Sequence, residues 1–227
     1  VVEDNAQSQL AKYKGKLTGS FGHINATSFY PTKNLGAMGE AGAITTNNFK
    51  LSKFASRYRN YGSDKKYFNE IKGINSRLDE IQAAILNIKI KHLDKITKER
   101  VLIANKIIEN LKEIEHIDLP ISSTDFENVF HIFNIRTKFR DELANFLSQN
   151  GISTSIHYPI PPHLQKAYTN LGFKIGDFPI AEKLSKTSLS LPFFPGMTDI
   201  ELELLINKIK FFFNKKITSS KNAKIKL

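Results

Sequence analysis

The sequence contains no cysteine. Disulfides, thiolate nucleophiles and cysteine-based metal sites are therefore excluded. No apolar run is long enough to span a bilayer, and no segment has the layout of a signal peptide. A soluble, cytoplasmic protein with no membrane partner and no metal is the expectation. Internal repeats are lacking. So are zinc-finger spacings and any stripe that interleaves basic with aromatic residues, which argues against a nucleic-acid partner. The opening Val1-Val2-Glu3-Asp4 lacks an initiator methionine and reads like the end of a buried strand. A fragment without its natural N-terminal part is expected.

What remains is ordinary globular material. The 227 residues are 41 % hydrophobic and 24 % charged, enough for one large domain or two small ones. The formal net charge is +11. Its lysines are dispersed over helix faces and the tail, so the charge supports an anionic ligand only weakly.

Hydrophobic patterning gives alternating strands and helices. Residues 1–2, 26–29 and 43–46 read as strands. Residues 33–42 carry Gly36, Gly39 and Gly42 and read as a tight loop. Asn48 caps a helix to about Asn60 that stops at Gly62. Ser76-Arg77-Leu78-Asp79 resembles a capping box. It opens a helix with Leu78, Ile81, Ile85, Ile88 and Leu93 on one stripe. A second helix carries Val101, Ala104, Ile108, Leu111 and Ile114. Beyond Pro120, residues 129–137 read as a strand, 139–150 as a helix stopped by Gly151, and 152–157 as a strand. Residues 158–163 are a Pro-rich loop. A short helix over 179–186, a strand over 189–194 and an amphipathic helix from Thr198 to about Asn214 complete the pattern. The implied fold is α/β, with a partial large domain over 1–116, a smaller α/β domain over 117–214, and a disordered polar tail over 215–227.

Four clusters carry chemistry-bearing side chains: Glu3-Asp4-Asn5-Ala6-Gln7; Ser28-Phe29-Tyr30-Pro31-Thr32-Lys33-Asn34-Leu35-Gly36; residues 73–84 with Asn75, Arg77, Asp79 and Gln82; and Ile156-His157-Tyr158-Pro159. Each alone is equally a cap, a turn or a solvated charge. Together, in this order and with Arg59-Asn60-Tyr61-Gly62, they resemble the DegT/DnrJ/EryC1/StrS family of pyridoxal-phosphate (PLP) sugar aminotransferases. The resemblance spans residues 1 to about 214.

The resemblance implies the PLP-dependent transferase fold of type I and a set of roles. Lys33 is the Schiff-base lysine, a catalytic residue that also moves a proton once released. A free lysine amine is a poor nucleophile at neutral pH, and a cationic, partly desolvated site activates it. Asp4 pairs with the pyridinium nitrogen, Gln7 meets the ring near its phenolic oxygen, and Ser28 binds the phosphate. Asn75 reaches the phosphate of the neighbouring subunit, which implies a homodimer with shared active sites. Arg77 clamps the carboxylate of the amino donor, and His157 and Tyr158 line a sugar-nucleotide pocket. His131 reads as a core residue within a half-buried strand.

The implied reaction passes an amino group from glutamate, leaving 2-oxoglutarate, to a nucleotide-linked keto-sugar for surface polysaccharide such as lipopolysaccharide. The motifs most resemble members that aminate dTDP-3-keto-6-deoxyhexoses. Amination at C4, or a truncated non-catalytic relative, are the alternatives. Two departures stand out. Gln7 is followed by Ser8-Gln9-Leu10 where the family often has Ser-His-Gly, and Asn69 ends Lys66-Tyr67-Phe68-Asn69 where a histidine is frequent. Both are expected to tune the sugar pocket. The family's N-terminal phosphate loop and ring-stacking aromatic lie outside this sequence, so the fragment alone is expected to be inactive.

Overall fold

A computed structural model of the chain describes residues 1–224. They divide into two compact units, one of Val1–Val101 with Ser122–His131, the other of Leu102–Ile121 with Ile132 onward. The chain passes between them after Val101, Ile121 and His131, where the sequence reading expects one boundary near residue 116.

The first unit is built on a three-stranded mixed sheet. Strand β1 (Val2–Asp4) and strands β2 (Lys12–Tyr13) and β3 (Lys16–Leu17) precede β4 (Ile24–Ser28) and β5 (Gly42–Thr45). β1 runs parallel to β4 with Asp4 opposite Ala26, and β5 runs antiparallel on the other side of β4. Helix α1 (Phe49–Tyr58) starts where expected, because Asn48 Oδ1 accepts from the Leu51 amide at 3.2 Å. A hairpin of β6 (Ser63–Lys65) and β7 (Phe68–Asn69) follows, with Tyr67 in the left-handed region. The sequence reading missed it. β8 (Phe126–Glu127) returns to pair with β2, completing a second small sheet that short polar strands left illegible.

Helix α2 (Glu80–Lys89) corrects two expectations. It begins at Glu80, not beside Ser76, and its N-cap Asp79 makes no side-chain cap bond. Ser76 instead donates its amide to Arg59 O. Ile81 and Ile88, expected on the buried stripe, are 73 % and 62 % exposed, while Leu86 and Leu93 are buried. The reason is polar. The loop after Lys33 has backbone groups to satisfy, and α2 turns Gln82 and Lys89 toward them: Met38 N donates to Gln82 Oε1 at 2.8 Å, and Lys89 Nζ donates to Gly36 O. A hydrophobic count cannot see a helix face chosen by hydrogen bonds.

After a 3₁₀ turn over Ile90–His92, helix α3 (Leu93–Leu111) runs from the first unit into the second. There, β9 (Phe133–Arg136) pairs antiparallel with β10 (Ser188–Leu191). Helices α4 (Arg140–Gln149), α5 (Pro179–Thr187) and α6 (Asp199–Lys224) complete the unit. Gly151 at φ +75° ends α4 as expected. Phe133, Ile135, Leu143, Leu147, Leu189, Leu205, Ile209 and Phe213 form its fully buried core. The strand read over 152–157 shrinks to one bridge, Ser155 to Ser190. Residues 129–132 are likewise outside β9, so His131 is not a strand residue. The tail also differs: α6 continues past Asn214 to Lys224, and residues 225–227 lie outside the described residues.

Candidate active site

Two parallel strands bring the first and second motifs together. β1 ends at Asp4, and β4, beside it, continues two residues beyond the Asp4 partner Ala26 to Ser28. With a rise of about 3.3 Å per residue and a strand spacing of about 4.8 Å, the two Cα atoms lie roughly 8 Å apart at one carboxyl edge. The loops that follow carry Gln7 from one strand and Lys33 from the other. Ligands of α/β sheets bind at such an edge.

Each side chain has usable chemistry left. Asp4 is exposed, and among the described residues its side chain accepts only the Ala6 amide, on Oδ1 at 2.9 Å. Gln7 is exposed and makes no hydrogen bond among the described residues. Ser28 Oγ accepts from Tyr30 N at 3.2 Å, which leaves the hydroxyl proton to donate. Lys33 is half-buried, with its amide donating to Tyr30 O at 2.9 Å across a turn.

The loop that presents Lys33 is anchored directly behind it. Asn34, Leu35, Gly36 and Ala37 are all buried. Leu35 and Ala37 join Leu86 and Leu93 in the core, with Phe29 and Leu78 packed around them. Burying a leucine contributes about 2 kcal/mol. Asn34 Nδ2 donates to Val129 O at 3.1 Å, and its Oδ1 faces His131 Nδ1 at 3.3 Å. His131 therefore serves as a brace for this loop. Gly36 folds so closely on residues 30–31 that a Cβ there would stand 2.3 Å from Pro31 O. Only glycine permits that approach.

Glu3, one residue before Asp4, is tied down from the other side. Its carboxylate accepts from the amides of Gly19 at 2.6 Å, Phe21 at 2.8 Å and Gly22 at 3.3 Å. Burial alone would raise its pKa, but the three amides and Lys16 outweigh it and hold the carboxyl below its usual range.

Residues 59–62 and 73–76 form a second strip. Asn60 bridges Asn75, Tyr61 N donates to Ile74 O, and Ile74 N donates to Tyr58 O. Gly62 lies at φ +78°, where a Cβ would stand 1.7 Å from Ile71 O. On this strip, Arg77 Nε donates to Asn75 Oδ1 at 2.9 Å, and the guanidinium lies 5.7 Å from the centroid of the Tyr61 ring. Asn75 and Arg77, given separate roles from sequence, are physically one pair.

His157 and Tyr158 belong to the second unit, and both are exposed. His157 Nδ1 lies 2.8 Å from Ser190 Oγ, which also accepts from Asn134 Nδ2 at 3.1 Å. Sequence reasoning missed a buried pair in the same unit: His163 Nε2 lies 3.2 Å from Glu182 Oε1, which also accepts from Gly176 N at 2.8 Å. No local signal marks the His163–Glu182 pair. Gln9, read from sequence among the residues that tune the sugar pocket, points into the protein, with Nε2 donating to Ser28 O at 2.6 Å.

The mixed α/β architecture, with an acid and a lysine loop at one strand edge, is that of PLP-dependent transferases of fold type I. The chain belongs to the DegT/DnrJ/EryC1/StrS aminotransferase family, whose model matches residues 1–210, and members of that family depend on PLP. A relative from Aneurinibacillus thermoaerophilus, named dTDP-3-amino-3,6-dideoxy-alpha-D-galactopyranose transaminase, is 46 % identical over 92 % of this chain and 57 % of its own length. A Geobacillus stearothermophilus protein named pleiotropic regulatory protein is 43 % identical over 94 % of this chain and 58 % of its own. The crystal structure of S. venezuelae DesV in complex with a ketimine intermediate superposes with a TM-score of 0.90, at 40 % identity, covering 93 % of this chain and 57 % of that one. The chain thus spans little more than half the length of these relatives.

Proposed function

We propose that the protein carrying this chain is a PLP-dependent aminotransferase that moves an amino group from glutamate to C3 of a dTDP-linked 3-keto-6-deoxyhexose, for surface-polysaccharide synthesis. The observation that carries it is the strand register: Asp4 and Ser28 share one carboxyl edge, and the Lys33 loop follows directly. The 46 % identity to a relative named for a dTDP-3-amino sugar supports C3 over C4.

The residues fit the cofactor. What supports the fit is the donor set: an acid and a hydroxyl at one strand edge, with a primary amide and an amine on the loops that follow, answer to a ring nitrogen, a phosphate, a phenolic oxygen and an aldehyde. The close fold at Gly36 gives Lys33 a rigid base. When bound, PLP supplies an electron sink for negative charge at the carbon that carries the amino group.

The chain's own groups do the rest. Lys33 Nζ would hold the cofactor through its aldehyde carbon and, when free, would serve as the acid–base group that moves a proton at the substrate carbon. Asp4 holds the proton on the ring nitrogen. Ser28 Oγ donates to the phosphate, and Gln7 donates its amide to the phenolic oxygen. Asn75 donates to the phosphate of the partner subunit in a homodimer, while Arg77 receives the donor carboxylate through the ends of its guanidinium. His157 and Tyr158 contact the sugar nucleotide.

The test is direct. The complete natural protein, incubated with PLP, is expected to turn yellow and to retain the cofactor on Lys33 after borohydride reduction, located by peptide mass. A protein that stays colourless, or that is labelled on another lysine, overturns the proposal.

A further inference from the structure

We infer that Gln9 is a positioning residue that sets the end of β4, and through it the Ser28 hydroxyl, for phosphate binding. The inference rests on the PLP reading above and deepens it.

The argument begins with the strand ladder. Asn5 N donates to Ala26 O at 2.8 Å, so the Ala26 carbonyl points toward β1. Carbonyls of a strand alternate, and the Ser28 carbonyl, two residues on, is aimed the same way. β1 has ended by then, because the chain turns away after Asp4 with Ala6 N bound to the Asp4 carboxylate. No strand amide remains for Ser28 O.

Gln9 fills that place. Its Nε2 donates to Ser28 O at 2.6 Å, with Thr27 Oγ1 at 3.3 Å and Ala6 O at 3.4 Å as further acceptors. Thr27 Oγ1 in turn donates to Asn5 O at 3.2 Å. The side chain is 6 % exposed. Three acceptors around one nitrogen fix which end of the amide is which. The other end, Oε1, is buried without a partner among the described residues. Gln9 therefore tolerates an unsatisfied acceptor in order to place one donor, and that donor links the loop after Asp4, which bears Gln7, to the residue bearing the hydroxyl. Gln9 reaches the Ser28 backbone and not the hydroxyl. It acts by holding the Ser28 peptide, which sets the direction of Oγ.

Only the phosphate half of the cofactor should feel this. The experiment compares PLP with pyridoxal, which lacks the phosphate, by absorbance titration of the complete natural protein. Gln9→Met removes the donor and the orphan acceptor while keeping the bulk. It is expected to raise the PLP dissociation constant about tenfold, the scale of one lost hydrogen bond, and to leave pyridoxal within about twofold. Added to Ser28→Ala, it is expected to cost PLP less than about twofold more, since the group it positions is gone. If Gln9→Met does not fold, Gln9→Leu, also apolar and lacking the donor, takes its place with the same expectation. Equal weakening of both ligands, or full additivity with Ser28→Ala, overturns the inference. Wild type that binds PLP on Lys33 beside an unaffected Gln9 variant sinks this inference alone. Wild type that binds neither ligand sinks the PLP reading, and this inference with it.

Discussion

Arg77 donates its Nε–H to Asn75 Oδ1 at 2.9 Å, and this contact decides how both side chains face outward. Arginine has only donors. The atom of Asn75 that meets it must be the oxygen, so the Asn75 nitrogen is turned away, ready to donate. A phosphate oxygen needs such a donor. The same contact spends only one edge of the guanidinium and leaves its two terminal NH₂ groups for a carboxylate.

The pair predicts an order of effects. Asn75→Asp keeps the acceptor for Arg77 but replaces the outward donor with an anion that repels phosphate. It is expected to weaken PLP more than Asn75→Ala does, by titration of the complete natural protein. Equal losses would mean that Asn75 points elsewhere. Arg77→Lys, which keeps the charge but not the fork, is expected to raise KM for the amino donor about tenfold with little change in kcat.

Lys33→Ala is expected to abolish borohydride-stable labelling and to lower turnover by at least about 10³-fold, since both the covalent bond and a general acid–base group are lost. The fold is expected to survive, because the buried run 34–37 anchors the loop. Circular dichroism and melting temperature separate the two effects.

Gly36→Ala tests the loop itself. A methyl 2.3 Å from Pro31 O forces the turn open. The expected cost is on the order of 2–4 kcal/mol of stability, read from urea unfolding. Labelling of Lys33 by borohydride should fall in parallel, although the lysine is untouched.

Glu3 predicts a pH dependence. Its pKa in the folded chain lies below the 4.5 of the free carboxyl, so the unfolded state binds its proton first as pH falls. Its contribution is fully present above the unfolded value and is lost as pH drops through the folded one. The difference in urea midpoint between wild type and Glu3→Gln should be largest near neutrality and shrink below about pH 4.5. A difference that stays constant down to pH 3 would show that the three amide contacts do not depend on charge.

The sequence by itself determined the order of the chemistry. Short motifs announced the acid before a hydroxyl, the hydroxyl five residues before a lysine, and the Asn-x-Arg further on. It also announced the capped helix at Asn48 and the glycine stop at Gly151, because caps and αL turns are local events set by one or two side chains. What only the tertiary structure decided were the choices made by contacts distant in sequence. The register of β1 on β4 put Asp4 and Ser28 at one edge. The polar demands of the Lys33 loop rotated α2 so that Gln82 and Lys89 face inward and Ile81 and Ile88 face out. Gln9 and His131 became braces because their partners, Ser28 and Asn34, arrive from far along the chain. Hydrogen bonds between distant backbone groups leave no periodic trace, and it is those bonds that assemble the site.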